Sequence, residues 1–391
     1  MKIVVVSGIW PPDVGGPATH APEVTEFLLE RGHDVEVVTT AAQAPAPRPY
    51  PVHWVSRRIP MGLRHLRVAD VVRRVGRRAD VVYSTGMVGR TVLGSVLGRV
   101  PLVLKLTSDP TYERSVRYRF YTDALDSFQD VRDPRVALLR AARNLELKAA
   151  ARIVIPSESL RDMALEWGVP LEKVEVLPNP VVTPELPPRE ELRARHGLEG
   201  KTLVFAGRLS IQKAVGVALE ALTRLEGVSL VLAGDGPDAE LLRRRASELS
   251  LDGRARFLGP QPRELVLELL RAADAVVLSS AWENFPHVLV EALGVGTPVI
   301  STSTGGVTEI VRDGENGLLV PPGDPEALAA AVRRYFDDPA LQERLRGAAR
   351  DSVKRFSPEL IYGRLEEILE SAVARGDRRS RRAARSGSAD G

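Results

Sequence analysis

The chain has 391 residues, 44% of them hydrophobic, a formal net charge of +3 and no cysteine. That length exceeds one compact domain and suits two of ordinary size. The composition excludes disulfides, thiolate metal ligands and thiol nucleophiles, and no run of eighteen apolar residues offers a membrane span.

Lys2–Ser7 is a β-branched run too short for the apolar core of a signal peptide, and it is predicted as a first buried strand. Gly8 to Gly16 is a Gly/Pro-rich loop, Thr19–Arg31 a helix ended by Gly32, and Asp34–Thr39 the next strand. Asp80–Ser84, Leu102–Thr107, Arg152–Pro156 and Val174–Pro178 follow as buried strands with helical segments between them. The run Pro178–Pro188 is too proline-dense for regular structure and reads as a linker. A second series then gives strands at Thr202–Ala206, Val228–Ala233, Ala255–Leu258, Ala275–Ser279, Val299–Ser303 and Gly317–Val320. Pro325–Phe336, Pro339–Phe356 and Pro358–Ala374 are predicted as closing helices. Apolar strands alternating with helices argue for α/β architecture, with two doubly wound parallel sheets covered on both faces and a cleft between them. The expected units are 1–185, 186–356, a helix over 357–374 returning to the first unit, and a disordered Arg-rich tail over 375–391.

Three features carry chemistry. Glu283 and Glu291 sit eight positions apart, either side of a helix start at Asn284-Phe285-Pro286-His287. Unpaired amides and the dipole at a helix N-terminus attract anions. Two carboxylates around an anion site suit a ligand with hydroxyls and phosphates, although Glu at such an interval also occurs on solvated helix faces. Arg208 and Lys213 follow a strand, so a guanidinium fork and an ammonium reach the cleft where charge would grow on a diphosphate leaving group. A solvated charge pair is the plain alternative, but the chain has only seven lysines. Gly15-Gly16 between the first strand and helix lets backbone approach a phosphate, or simply makes a tight turn.

These residues stand within a longer pattern. It runs through Gly207-Arg208-Leu209 with Lys213, Ala233-Gly234-Asp235-Gly236-Pro237, Arg256-Phe257-Leu258-Gly259 and Trp282-Glu283-Asn284-Phe285-Pro286. It continues with Glu291-Ala292-Leu293-Gly294, Gly296-Thr297-Pro298-Val299, Gly305-Gly306, Glu309 and Asn316-Gly317-Leu318-Leu319-Val320. The first half adds Trp10 to Pro17 and Arg31-Gly32-His33-Asp34-Val35. In this the chain resembles the retaining, nucleotide-sugar-dependent family 4 glycosyltransferases of GT-B architecture. The resemblance covers nearly the whole chain except the tail.

The resemblance implies a donor site built from Gly15, Gly16, Arg208, Lys213, Gly234, Glu283, Asn284, Phe285, Val288, Leu289 and Glu291. Glu283 would contact the donor sugar and Glu291 the ribose hydroxyls. Amides of Val288 and Leu289 would hold phosphate, and Gly234 with Arg256–Leu258 would border the base. Trp282 would pack against the donor or in the core. Pro286 stands where the family often has glycine and removes one possible amide donor, although a proline here is also familiar within the family. A second departure lies at Lys105-Leu106-Thr107-Ser108-Asp109-Pro110, where many members carry His-Asp. The histidine is replaced and Asp109 remains, as an acceptor-orienting catalytic residue with Glu113 or as a helix N-cap. The catalytic set is thus Asp109, Arg208, Lys213 and Glu283.

No metal is expected, since no His/Asp/Glu spacing suggests a site, and no cofactor beyond a nucleoside-diphosphate sugar as substrate. Nine arginines and one acid, Asp70, fall between Arg48 and Arg78. Interleaved valines there predict an amphipathic helix whose basic face, Arg57–Arg78, meets anionic lipid or a lipid-linked acceptor, or merely solvent. The expectation is a cytoplasmic enzyme, peripheral on the inner face of the membrane. It transfers a sugar to an acceptor hydroxyl in polysaccharide, glycolipid or glycoconjugate synthesis. A sugar-nucleotide epimerase would use the same donor cleft. A pyridoxal-phosphate phosphorylase would need a buried Schiff-base lysine, and Lys213 is better explained by diphosphate. Nucleic-acid binding lacks an aromatic stacking platform and is not expected.

Overall fold

The computed structural model describes residues 1–13, 15–121 and 128–386. Strands β1 (Lys2–Ser7), β2 (Asp34–Ala41), β3 (Val52–Ser56), β4 (Val81–Ser84), β5 (Leu102–Lys105), β6 (Arg152–Ile155) and β7 (Val174–Val176) form one parallel sheet. Its order is β3-β2-β1-β4-β5-β6-β7. Strands β8 (Lys201–Ala206), β9 (Val228–Ala233), β10 (Ala255–Gly259), β11 (Ala275–Leu278), β12 (Val299–Thr302) and β13 (Gly317–Val320) form the other, in order β10-β9-β8-β11-β12-β13. The α/β, two-sheet expectation holds, because runs such as Ile3-Val4-Val5-Val6 are buried on both faces and need helices on each side. Strand β3 was not foreseen. It is an edge strand with Val55 as its buried residue, so its sequence lacks the apolar continuity of the others.

In each sheet the strand order reverses once, between β1 and β4 and between β8 and β11. Helices leave to opposite faces there and open a crevice at the strand C-terminal ends. The two crevices face each other across the segment Leu177–Pro188, which has no regular structure.

The helix Pro358–Ser386 lies on the first sheet. Ile361, Tyr362, Leu365, Ile368, Leu369 and Ala372 recur on one face and pack with Ile3, Val5, Tyr83 and Val103. Truncating Leu369, fully buried, to Ala would cost roughly 2–5 kcal/mol. Glu366 fixes the angle, accepting from His33 at 2.6 Å and Arg31 at 3.2 Å. This helix runs past the expected end at Ala374, into the stretch expected to be disordered. Arg and Ala extend an already nucleated helix readily. The remainder of the expected tail, residues 387–391, lies outside the described residues.

The basic stretch folds as the helix Met61–Gly76, with Val68, Ala69 and Val72 buried. Arg57 does not belong to its exposed face. Its guanidinium is turned inward, onto the Asp13 carboxylate and the carbonyls of Gly8 and Thr40.

Candidate active site

A cleft of about 690 Å³ separates the two sheets' C-terminal edges. The first domain supplies Gly16, His20, Glu23, Thr85, Lys105, Ser108, Tyr112 and Glu113 to its wall. The second supplies Arg208, Gln212, Arg263, Trp282, Glu283, Asn284, Phe285, His287 and Glu291.

Glu283 stands at the centre of the second wall, 4% exposed, in the loop after β11. Its Oε1 pairs with the Lys213 ammonium and accepts from Ser280 Oγ at 2.6 Å. Its Oε2 has no hydrogen-bond or ion-pair partner among the described residues, and Glu283 lines the cleft. The loop is held from behind by Gly305 and Gly306. A Cβ on either would lie 1.8 Å from the carbonyl oxygen of Glu283 or Asn284, so no other residue fits. The Gly306 amide donates to Glu283 O at 3.0 Å. Lys213 ends a 3-10 turn, Ile211–Lys213, whose Gln212 donates to Trp282 O at 2.9 Å. The two loops carrying Lys213 and Glu283 are therefore fixed to each other. Arg208 is exposed on the same wall, and among the described residues nothing pairs with it.

The helix His287–Gly294 begins immediately after Pro286. The Leu289 amide already donates to Pro286 O at 3.1 Å, so of the two amides expected to hold phosphate it is the one with a partner. Glu291 faces the cleft with its Oε1 3.3 Å from Arg263 Nη2, and burial raises its carboxyl. Neighbouring protein and the cations of Lys105, Arg263 and Lys213 push the His287 imidazole, which opens onto the cleft, down to about 4. Its Nε2 lies 3.0 Å from Asn179 Nδ2.

Several expected residues stand off the cleft wall, among them Asp109, Gly234 and Arg256–Leu258, while Lys213 stands behind Glu283. Asp109 is fully buried, caps the helix Pro110–Arg117 through the Thr111 amide at 2.8 Å, and makes two 2.9 Å contacts with Arg143. It does not line the cleft, because a fixed N-cap turns its carboxylate back into the domain. The cleft-facing carboxylate of this segment is Glu113, which accepts from Ser108 Oγ. Gly234 also lies off the cleft wall, where its role is close packing. A Cβ there would stand 1.8 Å from Gly207 O. Arg256–Leu258 likewise lie off the wall, on the edge strand β10. Asn284 lies on the wall, but its side chain is committed to the other domain. It donates to Thr107 O at 2.6 Å and accepts from Ser157 Oγ. Glu309 acts similarly, its carboxylate accepting the Glu158 amide at 2.9 Å at the start of the helix Glu158–Glu166. Gly15 is the N-cap of the helix Gly16–Glu30. Trp282 serves both readings, lining the cleft while packing on Phe128 and Val136.

Lys105 was not singled out from sequence. The signal was present: a lysine closes the otherwise apolar strand Leu102-Val103-Leu104, in a chain with seven lysines.

The structure is thus a two-domain α/β protein with facing crevices, whose second wall carries the cations Arg208 and Arg263 and the carboxylates Glu283 and Glu291. Residues 188–352 match the model of glycosyl transferases group 1, and residues 14–185 that of glycosyltransferase family 4. The glycogen synthase of Mycobacterium tuberculosis is 30% identical over 383 residues, covering 90% of this chain and 89% of its own. The lipopolysaccharide core biosynthesis glycosyltransferase LpsE of Rhizobium meliloti is 36% identical over 174 residues, 44% of this chain and 51% of its own. Among solved structures, Anabaena HepE in complex with UDP superposes with a TM-score of 0.77 at 21% identity, covering 95% of this chain and 100% of that one. The chain belongs to the group 1, family 4 glycosyltransferases, and its fold is GT-B.

Proposed function

We propose that the cleft moves a sugar from a nucleoside diphosphate to an acceptor hydroxyl with retention, without a metal, in polysaccharide, glycolipid or glycoconjugate synthesis. The observation that carries this is the Lys213–Glu283 pair beside the unpaired Arg208 and the N-terminus of His287–Gly294. Arg208, Lys213 and the Val288 amide suit the diphosphate, and these fixed charges favour the state in which it departs. Glu283 Oε2 suits a sugar hydroxyl, and the free oxygen of Glu291 a ribose hydroxyl. As the anomeric C–O bond breaks, the acceptor oxygen bonds the same carbon from the same face. Its proton passes to the departing phosphate oxygen, and Glu113 orients the acceptor. The complexes of HepE with UDP and with UDP-glucose support a nucleotide sugar as the substrate.

The test is incubation with a panel of nucleotide sugars and hydroxyl acceptors, with and without excess EDTA, read by mass spectrometry. Glycosylated product bearing the α or β configuration of the donor, in EDTA as in buffer, is expected. An epimerised donor without transfer would replace this reading with the epimerase, and rescue by magnesium after EDTA would remove metal independence.

A second reading concerns where the enzyme works, on the inner face of a membrane. Trp54, Met61, Leu63 and Leu66 are 39–62% exposed, in the same stretch as the exposed Arg58 and Arg67, and the exposed Arg77 and Arg78 follow the helix's other end. Apolar side chains among arginines suit an anionic lipid surface and a lipid-linked acceptor. Among the described residues no helix is long and apolar enough to cross a membrane. Co-sedimentation with phosphatidylglycerol vesicles but not phosphatidylcholine vesicles, abolished by Leu63→Glu with Leu66→Glu, is the expected result. Equal binding by the double variant would remove the reading.

A further inference from the structure

Lys105 ends β5 at the floor of the cleft, on the first domain's side. The residue is 6% exposed, and among the described residues no hydrogen bond or ion pair reaches its ammonium. It is flanked by Thr85 on the cleft wall, by His20, whose Nε2 is 2.9 Å from Tyr83 Oη, and by His287 from across the cleft. The nearby carboxylate, Glu23, accepts from Tyr362 Oη at 3.0 Å. A buried ammonium with no counter-ion is costly unless a ligand supplies one. Burial alone pushes this amine down to about 7, so it is poised to hold a proton once an anion arrives.

The donor diphosphate already has Arg208, Lys213 and a helix N-terminus on the opposite wall. Gly16, expected at the donor phosphate, shares the first domain's wall with Lys105, but it offers backbone and no charge, so a second anion there would be the acceptor's. We propose that Lys105 is an anion-binding residue of the acceptor pocket, and that the acceptor carries an oxyanion, a phosphate or a carboxylate, that docks on it. This rests on the transferase reading of the cleft and adds the acceptor class to it.

Calorimetric titration of the whole protein tests it. UDP, GDP and ADP are titrated first, and then sodium sulfate or sodium acetate into protein saturated with the diphosphate that binds. The wild type is expected to bind one further anion, sulfate standing for a phosphate acceptor and acetate for a carboxylate one. Lys105→Met is expected to lose at least tenfold of that affinity while its diphosphate affinity stays within twofold, which also shows that the variant is folded. No anion binding by the wild type, or equal binding by Lys105→Met, would overturn the assignment. A loss that falls on the diphosphate instead would also overturn it and move Lys105 to the donor. Failure of all three diphosphates to bind would count against the transferase reading itself.

Discussion

The side chain of Asn284 reaches from the sugar-side loop of the second domain to the carbonyl of Thr107 in the first, at 2.6 Å. The same amide accepts from Ser157, and Glu309 caps the helix that Ser157 begins. The loop that carries Glu283 is thereby bolted to the end of β5, and this contact sets the width of the cleft.

Asn284→Ala should loosen that closure. It removes two hydrogen bonds, each worth about 0.5–1.5 kcal/mol, between parts that must meet during transfer. Diphosphate affinity should stay within about threefold while turnover falls roughly tenfold or more. X-ray scattering should show a larger radius of gyration than wild type. Unchanged scattering and turnover would show that the bridge is incidental.

Arg208→Ala and Lys213→Ala should each weaken nucleoside diphosphate binding by roughly 1.5–3 kcal/mol, the range for a charge-assisted contact. Lys213→Ala should be the worse for turnover. It also leaves the buried Glu283 without its cation, disturbing the residue meant for the sugar. Unchanged affinity of both variants in calorimetry would remove the diphosphate assignment.

Asp109→Asn should act on stability rather than chemistry. Arg143, 2% exposed and stacked 4.0 Å over the Trp167 ring, would keep a buried charge without its carboxylate. Breaking such a pair costs roughly 3–5 kcal/mol, so Tm should fall by about 10 °C. Transfer per folded molecule, measured well below that Tm, should be near wild type. A full-stability variant with lost turnover would restore Asp109 to the reaction.

Lys105 gives a pH signature in the free protein. Its amine is pushed by burial from the ordinary 10.5 to about 7. Between those values the unfolded chain holds a proton that the folded one does not, so this site's contribution to stability rises with pH across that window. Below it both states are protonated and the buried charge is at its full cost. Lys105→Met should therefore raise Tm most at pH 6 and have little effect near pH 10. An equal shift at both pH values would show that the amine is not desolvated.

By itself the sequence determined the α/β class, the two sheets and the linker, because buried parallel strands must be continuous apolar runs and prolines must interrupt them. It also marked Arg208, Glu283 and Glu291, which line the cleft, and Lys213, which pairs with Glu283, since a strand end or a helix start carries whatever follows it toward the cleft. Only the tertiary structure decided how side chains on those elements are used. Asp109 and Asn284 are polar residues in the right segments, yet one turns inward to Arg143 and the other across to Thr107. Lys105 looked like the end of a strand until both domains closed over it. Local sequence specifies an element and its direction, whereas a side chain's partner comes from chain segments far away, and burial of charge exists only after they meet.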